Sequence, residues 1–235
     1  MTHLSFAADS APGHQGARGF RVIMIVTNTG VGDAMVLRQA MSLVAGGHAV
    51  TVLCRSAPGL AEDEWIAGVR YMRPRHWHRS MLATANVAKL AADLRPDILH
   101  AHGPTALPAA VRAAKLCDAR VVYEIRAADQ SWLPTPLRTW LERRALRRVA
   151  ATVALCPRIA SVKARDFGIP LPTLVPGSAG PGGWSQHADL IVEVYAAVAG
   201  GPRGLPAAMA RRALATLTLS RASSAWRPSR ALVAG

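Results

Sequence analysis

Asp97-Ile98-Leu99-His100-Ala101-His102-Gly103-Pro104 tells most about the kind of fold to expect. Asp97 to His100 reads as a strand buried on both faces of a parallel sheet, closed by Gly103-Pro104. In an open α/β sheet ligands gather at the carboxyl edge of the strands, where loop side chains are not used up in strand pairing. His102 falls at that edge. A histidine there can donate to a phosphate or a sugar hydroxyl near neutral pH. The alternative is that both histidines only cap and pack a strand end.

Working outward, strand and helix signals alternate from Phe20 onward. Residues 21–27 (RVIMIVT) are a continuous apolar run ending at Asn28-Thr29-Gly30, and 48–54 is a second strand. Gly30 and Gly32 make the turn between them, Asp33 is a fair N-cap, and Met35, Leu37, Met41, Leu43 and Val44 form the helix stripe up to Gly46-Gly47. A polar stretch through Glu62, Asp63 and Glu64 leads to a short strand at 69–72. The segment 73–80 reads as a basic loop. Helices over 81–94, 106–116, 136–149 and 157–166 separate strands at 97, 120–125, 151–155 and 173–175. The expectation is an α/β fold, a doubly wound Rossmann-like parallel sheet with helices on both faces, over 20–178. Residues 1–19 are expected to be disordered. Residues 179–235 are expected to hold a linker, one helix at about 184–198 and a weakly ordered basic tail.

The chain of 235 residues carries 28 Lys+Arg against 14 Asp+Glu, a formal charge of +14. That balance favours phosphate-bearing ligands or an anionic membrane surface over neutral ones. A nucleic-acid role has charge in its favour but no motif and no aromatic-basic stripe. Cys54, Cys117 and Cys156 lack CxxC spacing and read as buried thiols of a reducing compartment. No secretory signal and no apolar run of about 18 residues is visible, which points to the cytoplasm.

Gly30-Val31-Gly32 sits where a first βα loop binds phosphate, but Met35 stands at the third glycine position of Gly-x-Gly-x-x-Gly. No acid follows the second strand, where Cys54 and Arg55 stand, so a dinucleotide site is not expected. The two glycines either admit a ligand close to the backbone or only close a tight turn. Glu124 and Arg126 share the carboxyl end of the 120–125 strand. Arg126 there either pairs with a phosphate or forms a structural ion pair with Glu124 or Asp129. His76-Trp77-His78 lacks a third ligand, so no metal site is expected. The 136–149 helix places Leu137, Trp140, Leu141, Ala145, Leu146 and Val149 on one side and five arginines on the rest. This is either a solvated basic face over a core stripe or a surface for anionic headgroups.

Taken together, RVIMIVTNTGVGDAMVLRQAMSLVAGGHAVTVL (21–53), DILHAHGP (97–104), VVYEIR (121–126), LERRALRRVAATVALCPRIA (141–160) and FGIPLPTLVP (167–176) resemble the N-terminal domain of GT-B glycosyltransferases, specifically retaining family 4. The resemblance implies an acceptor-side domain with Gly30 and Gly32 facing an interdomain cleft. It places His102 at the second histidine of a His-x-His motif close to the transferred sugar and its phosphate. It also implies a nucleotide-sugar co-substrate, no metal and no other cofactor. Where the family usually reads Pro-Asn-Gly-Val-Asp, residues 176–179 read Pro-Gly-Ser-Ala, and no donor domain follows them. Trp184 to Tyr195 is similar to the final helix that crosses back onto the N-terminal domain. The expected function is therefore the acceptor half of a hexosyltransferase, inactive or weak alone, for which His102, Gly30, Gly32, Arg126 and Glu124 are the candidate site residues. Its expected partners are a sugar or lipid-linked acceptor and a donor-domain protein. The competing expectation is a non-enzymatic basic module that binds an anionic membrane or a partner protein.

Overall fold

The computed structural model describes residues 19–30, 33–75, 77, 81–126, 135–175 and 183–200. In chain order the elements are β1 (Arg21–Ile25), α1 (Ala34–Ala45), β2 (Ala49–Leu53), β3 (Asp63–Ile66), β4 (Val69–Met72), α2 (Met81–Asp93), β5 (Ile98–His102), α3 (Leu107–Ala114), β6 (Arg120–Ile125), α4 (Thr135–Leu146), β7 (Ala151–Ala154), α5 (Pro157–Phe167), β8 (Thr173–Leu174) and α6 (Gly183–Ala199). Gly32, Asp129, His76, His78, the first eighteen residues, the linker at 176–182 and the tail from 201 lie outside the described residues.

The strands form one sheet in the order β3-β4-β2-β1-β5-β6-β7-β8, parallel throughout except for β3. This is the doubly wound α/β architecture. β1 and β5 are adjacent, with Val22 opposite Ile98 and Ile25 opposite Ala101. From β1 the order runs through β2 and β4 to one side and through β5, β6, β7 and β8 to the other. The carboxyl ends of β1 and β5 therefore flank the switch point, where an open sheet forms its crevice.

Alternation along the strands sorts the core into two layers. Ile23, Ile25, Leu99, Ala101, Val121 and Tyr123 pack beneath α2, α3, α4 and α5. Val22, Met24, Ile98 and Val122 pack beneath α1 and α6, with Val36, Leu43, Ile191 and Val194. Both faces are covered, so the central strands β1, β5 and β6 are mostly apolar. His100, His102 and Glu124 follow the parity of Ile98 and Val122, which turns them toward the α1/α6 layer.

Three local readings differ from the structure. The stretch at 62–66 contains an edge strand: β3 pairs antiparallel with β4 across a turn in which Ala67 (φ 50°) and Gly68 (φ 79°) are both left-handed. Two consecutive positive φ values make the primed turn that matches strand twist. Arg70 reaches Asp63 through Nε (2.9 Å) and a terminal nitrogen (2.5 Å). Charged residues suit an edge strand, and they also hid it. In α1 the buried face is Val36, Gln39, Ala40 and Leu43, while Met41 is exposed. In α4 the core face is Glu142, Ala145 and Leu146, and both Leu137 and Trp140 are exposed among the arginines instead of joining it.

Candidate functional site at the switch point

β5 and β6 carry four polar residues to one place. His100 and His102 lie on one face of β5, two residues apart, with their rings stacked at 4.4 Å between centroids. Opposite His102 in register stands Glu124, and Arg126 follows β6 by one residue. Glu124 is 1% exposed and His102 3%. A carboxylate so buried must be compensated. Arg126 donates Nε to Glu124 Oε1 at 2.9 Å and one terminal nitrogen to Asp33 Oδ2 at 3.0 Å. Its other terminal nitrogen lies 2.9 Å from His102 Nδ1. Gln39, from the buried face of α1, approaches Glu124 Oε2 at 3.4 Å. Arg126 thus ties the carboxyl edge of β6 to the start of α1 and to the β5 histidine.

A guanidinium only donates, so its shorter approach makes His102 Nδ1 an acceptor and puts the ring proton on Nε2, although Glu124 Oε1 lies 3.3 Å from the same nitrogen. That Nε2 is buried and has no hydrogen-bond partner among the described residues. His100 is held in a second way: its Nδ1 lies 2.7 Å from the hydroxyl of Tyr195 in α6. Burial first, and Glu124 second, raises the Tyr195 hydroxyl well above its ordinary pKa, so it remains a donor. His100 Nε2 then faces Glu124 Oε2 at 3.8 Å. Burial, then His102, drives His100 well below the usual histidine range against the opposing pull of Glu124. Burial works against ionisation of Glu124, but His102, His100 and Arg126 outweigh it and hold its carboxyl well below the carboxylate range.

Asp33 has two tasks. Its Oδ1 accepts from the Val36 backbone N–H at 3.1 Å and caps α1, while Oδ2 takes Asn28 Nδ2 at 2.8 Å and Arg126. Burial raises its pKa, and Arg126, Asn28 and the Val36 amide more than reverse this. Asn28 also accepts from the Gly30 N–H at 2.9 Å. Gly30 adopts φ +72°, and a Cβ there would lie 3.1 Å from Cys54 Sγ and 3.2 Å from Tyr71 Cε1. The close approach at Gly30 is therefore to the chain itself, and the glycine closes a tight turn against β2 and β4. Burial pushes the Cys54 thiol up to about 11, so it is not a nucleophile.

The structure brings His102, Glu124 and Arg126 into direct contact. It places Gly30 on the same edge, joined to them through Asn28 and Asp33. Asp33 as an ion partner, Gln39 and His100 were missed as site residues. So was Arg73, whose fully buried side chain donates to Thr29 O at 3.3 Å and Ala61 O at 2.9 Å and pairs with Glu64 at 2.5 Å. Arg73 braces the same β1–α1 loop from the β4 side. Its only sequence signal is an arginine directly after a strand.

His100, His102 and Glu124 offer ligand atoms within 4.8 Å of one another. The set does not fit a metal ion, because Arg126 already places a cation 2.9 Å from both the Glu124 oxygen and His102 Nδ1. The open cleft of about 950 Å³ lies on the opposite edge, among Arg21, Lys89, Arg95 and Arg112. Cations there face the carboxyl ends of α2 and α3, where helix dipoles are negative.

The sequence matches the model of Glycosyltransferase Family 4 over residues 33–176, from the α1 cap to the end of the sheet. The chain belongs to glycosyltransferase family 4. No functionally curated protein matches the sequence. Among solved structures, sucrose-phosphate synthase (tll1590) from Thermosynechococcus elongatus is similar in two forms. A piece described by residue ranges 27–220 and 406–426 gives a TM-score of 0.58 at 14% identity, over 74% of this chain and 97% of that one. The synthase without those ranges gives 0.53 at 13%, over 67% of this chain and 48% of that one. Anabaena Alr3699/HepE in complex with UDP-glucose gives 0.50 at 11%, over 67% of this chain and 43% of that one. Against the latter two, this family 4 chain spans less than half of the solved relative's length. The likeness shows a shared Rossmann-like GT-B fold. Among the described residues no helix is long and apolar enough to cross a membrane.

Proposed function

We propose that this family 4 chain forms the acceptor side of a nucleotide-sugar-dependent hexosyltransferase, retaining and metal-independent, with little or no transfer by the chain alone. The observation that carries the reading is the His102 Nε2–H, a buried donor without an acceptor at the switch point of the sheet. A donor fixed there by Arg126 is suited to an oxygen of the transferred sugar or its phosphate. The charge balance supports the acceptor side. Asp33 and Glu124 are two carboxylates held by one guanidinium. Arg126 is already committed to three partners, so the cluster suits neutral hydroxyls better than a diphosphate. Stabilising the leaving diphosphate then falls to a donor domain, and half a cleft lacks transition-state complementarity. HepE was solved with UDP-glucose, so a nucleoside diphosphate sugar is the donor class to test first. The expected partners are a sugar or lipid-linked acceptor and a donor-domain protein. The three free thiols suit a reducing, cytoplasmic setting.

Calorimetric titration with a panel of nucleoside diphosphate sugars, alone and with candidate donor-domain proteins, tests this. Silence from the chain alone and transfer with a partner are expected. His102→Ala should lower that transfer at least tenfold. Tight donor binding by the chain alone, or equal rates for the variant, would overturn the reading.

A further inference from the structure

The outward face of α4 combines features that neither the core nor the switch-point site uses. Residues 136–149 contain five arginines and one acid. That acid, Glu142, is buried beneath the helix, accepting from the Tyr123 hydroxyl at 2.7 Å and facing Lys163 at 3.5 Å. Arg143 is used within the fold, donating to Asp166 O at 2.7 Å and lying over the Phe167 ring. Arg138, Arg144, Arg147 and Arg148 make no ion pair with an acid among the described residues. Between them stand Leu137, 44% exposed, and Trp140, 56% exposed, with the Arg144 guanidinium 5.7 Å from the indole ring centre. Leu137, Trp140 and Arg144 are three and four residues apart, so they share one stripe. A soluble helix with this composition ordinarily turns its tryptophan inward.

We propose that this face of α4 docks on an anionic lipid bilayer, with Leu137 and Trp140 at the interface and Arg138, Arg144, Arg147 and Arg148 on the headgroups. Charge complementarity selects the occupant. Four unneutralised arginines repel a second copy of the same face, whereas a negative leaflet attracts each of them, and an amphipathic indole sits at the headgroup level. The position on the fold gives the contact a consequence. α4 ends five residues before β7 begins at the amino edge of the sheet, and its twelve residues span about 18 Å. Its first turn, with Leu137, therefore lies toward the carboxyl edge, where the His102 cluster sits. Docking would set that edge beside the membrane surface. The proposal does not depend on the chain's being a transferase.

The test is co-sedimentation of the full chain with vesicles of phosphatidylcholine alone or with about 30% phosphatidylglycerol, at 0.1 and 0.5 M NaCl. Binding to the anionic vesicles only, weakened at high salt, is expected. Each arginine near the surface is worth about a fivefold change in partition. Arg144→Glu with Arg148→Glu should therefore weaken partition more than tenfold, and Trp140→Ala should weaken it severalfold. Lys89→Glu with Arg112→Glu changes net charge equally on the opposite edge and should stay within twofold of the unmodified chain. Urea unfolding of each variant verifies that it folds. Equal loss in the control pair would mean that net charge alone drives binding, and equal binding to both vesicle types would remove the arginines from the contact. Either result overturns the proposal, as would unaltered partition of the α4 variants. So would absence of binding, including the case where sedimentation velocity shows the face joining a second copy.

Discussion

Replacing Arg126 by leucine is the sharpest probe of the switch-point cluster. It removes the Nε donor held at 2.9 Å by Glu124 and leaves that carboxylate, 1% exposed, with Gln39 at 3.4 Å and His102 Nδ1 at 3.3 Å. Breaking a buried pair by deleting one partner costs about 3–5 kcal/mol, because the surviving charge is uncompensated. Asp33 keeps Asn28 and the Val36 amide, and its loss adds under about 1 kcal/mol. The sum is a large share of the roughly 5–15 kcal/mol that stabilises a domain. With a urea m-value of about 2 kcal/mol/M the midpoint should fall by about 2 M. The penalty should also depend on pH. In the unmodified chain the Glu124 carboxyl lies well below its ordinary range, with Arg126 among the groups that hold it there. Without Arg126 one of the groups that hold the carboxyl down is gone and its folded pKa rises toward the unfolded value, so the penalty is full at higher pH and shrinks as pH falls through the variant's folded value. The midpoint difference from the unmodified chain should therefore be smaller at pH 3 than at pH 7. Arg126→Leu combined with Glu124→Leu should recover at least half of the loss. A single-variant penalty below about 1 kcal/mol, equal penalties at both pH values, or additive losses in the double variant would refute the cluster as the organiser of this edge.

Tyr195→Phe removes the hydroxyl at 2.7 Å from His100 Nδ1 and should cost about 1–2 kcal/mol in urea unfolding, since the buried ring nitrogen is left unpaired. A neutral effect would show that α6 is held by its apolar contacts alone. Gly30→Ala should destabilise by about 1–2 kcal/mol, because φ is +72° and the new methyl would press on Cys54 and Tyr71; a thermal midpoint within 1 °C would count against the tight-turn role. Burial lowers the pKa of His48, whose Nδ1 accepts from the Phe20 N–H at 3.0 Å, and burial with His102 lowers that of His100. For both, the unfolded chain takes up protons that the fold refuses. Stability should be complete above the unfolded value of about 6.5 and should fall below it, by up to about 1.4 kcal/mol per pH unit for each ring. Urea midpoints that stay flat between pH 7 and 5 would contradict this.

The strands are readable because parallel strands buried on both faces are mostly apolar, as 21–25, 98–102 and 120–125 are apart from Arg21, His100, His102, Arg120 and Glu124. Histidine and glutamate inside such runs stood out for the same reason. The helix faces were harder to read. In α1 the buried positions 36, 39, 40 and 43 include an alanine and a glutamine, so hydrophobicity alone favoured neighbouring methionines. In α4 a tryptophan and a leucine were credited to the core because periodicity does not tell which of two faces meets the sheet. What the sequence could not show is pairing across the fold. Asp33 meets Arg126 across 93 residues and Tyr195 meets His100 across 95, and neither pair leaves a local spacing signal.

Those two long-range pairs also explain why the site needs both ends of the domain. β5 and β6 alone set Glu124 beside two histidines, with Arg126 as the adjacent cation. Asp33 from α1 then orients the guanidinium so that its other terminal nitrogen meets His102 Nδ1, and that contact assigns the ring proton to Nε2. Tyr195 from α6 does the equivalent for His100 and turns its Nε2 toward Glu124. Each histidine is thus fixed in one tautomer by a residue outside its own strand. Without Asp33 or Tyr195, the matching ring would lose a contact that assigns its proton. A histidine without a defined donor atom loses the feature that marks this edge as a site. The fold therefore specifies the chemistry of His102 through Asp33 and Arg126, more than through the His-x-His spacing alone.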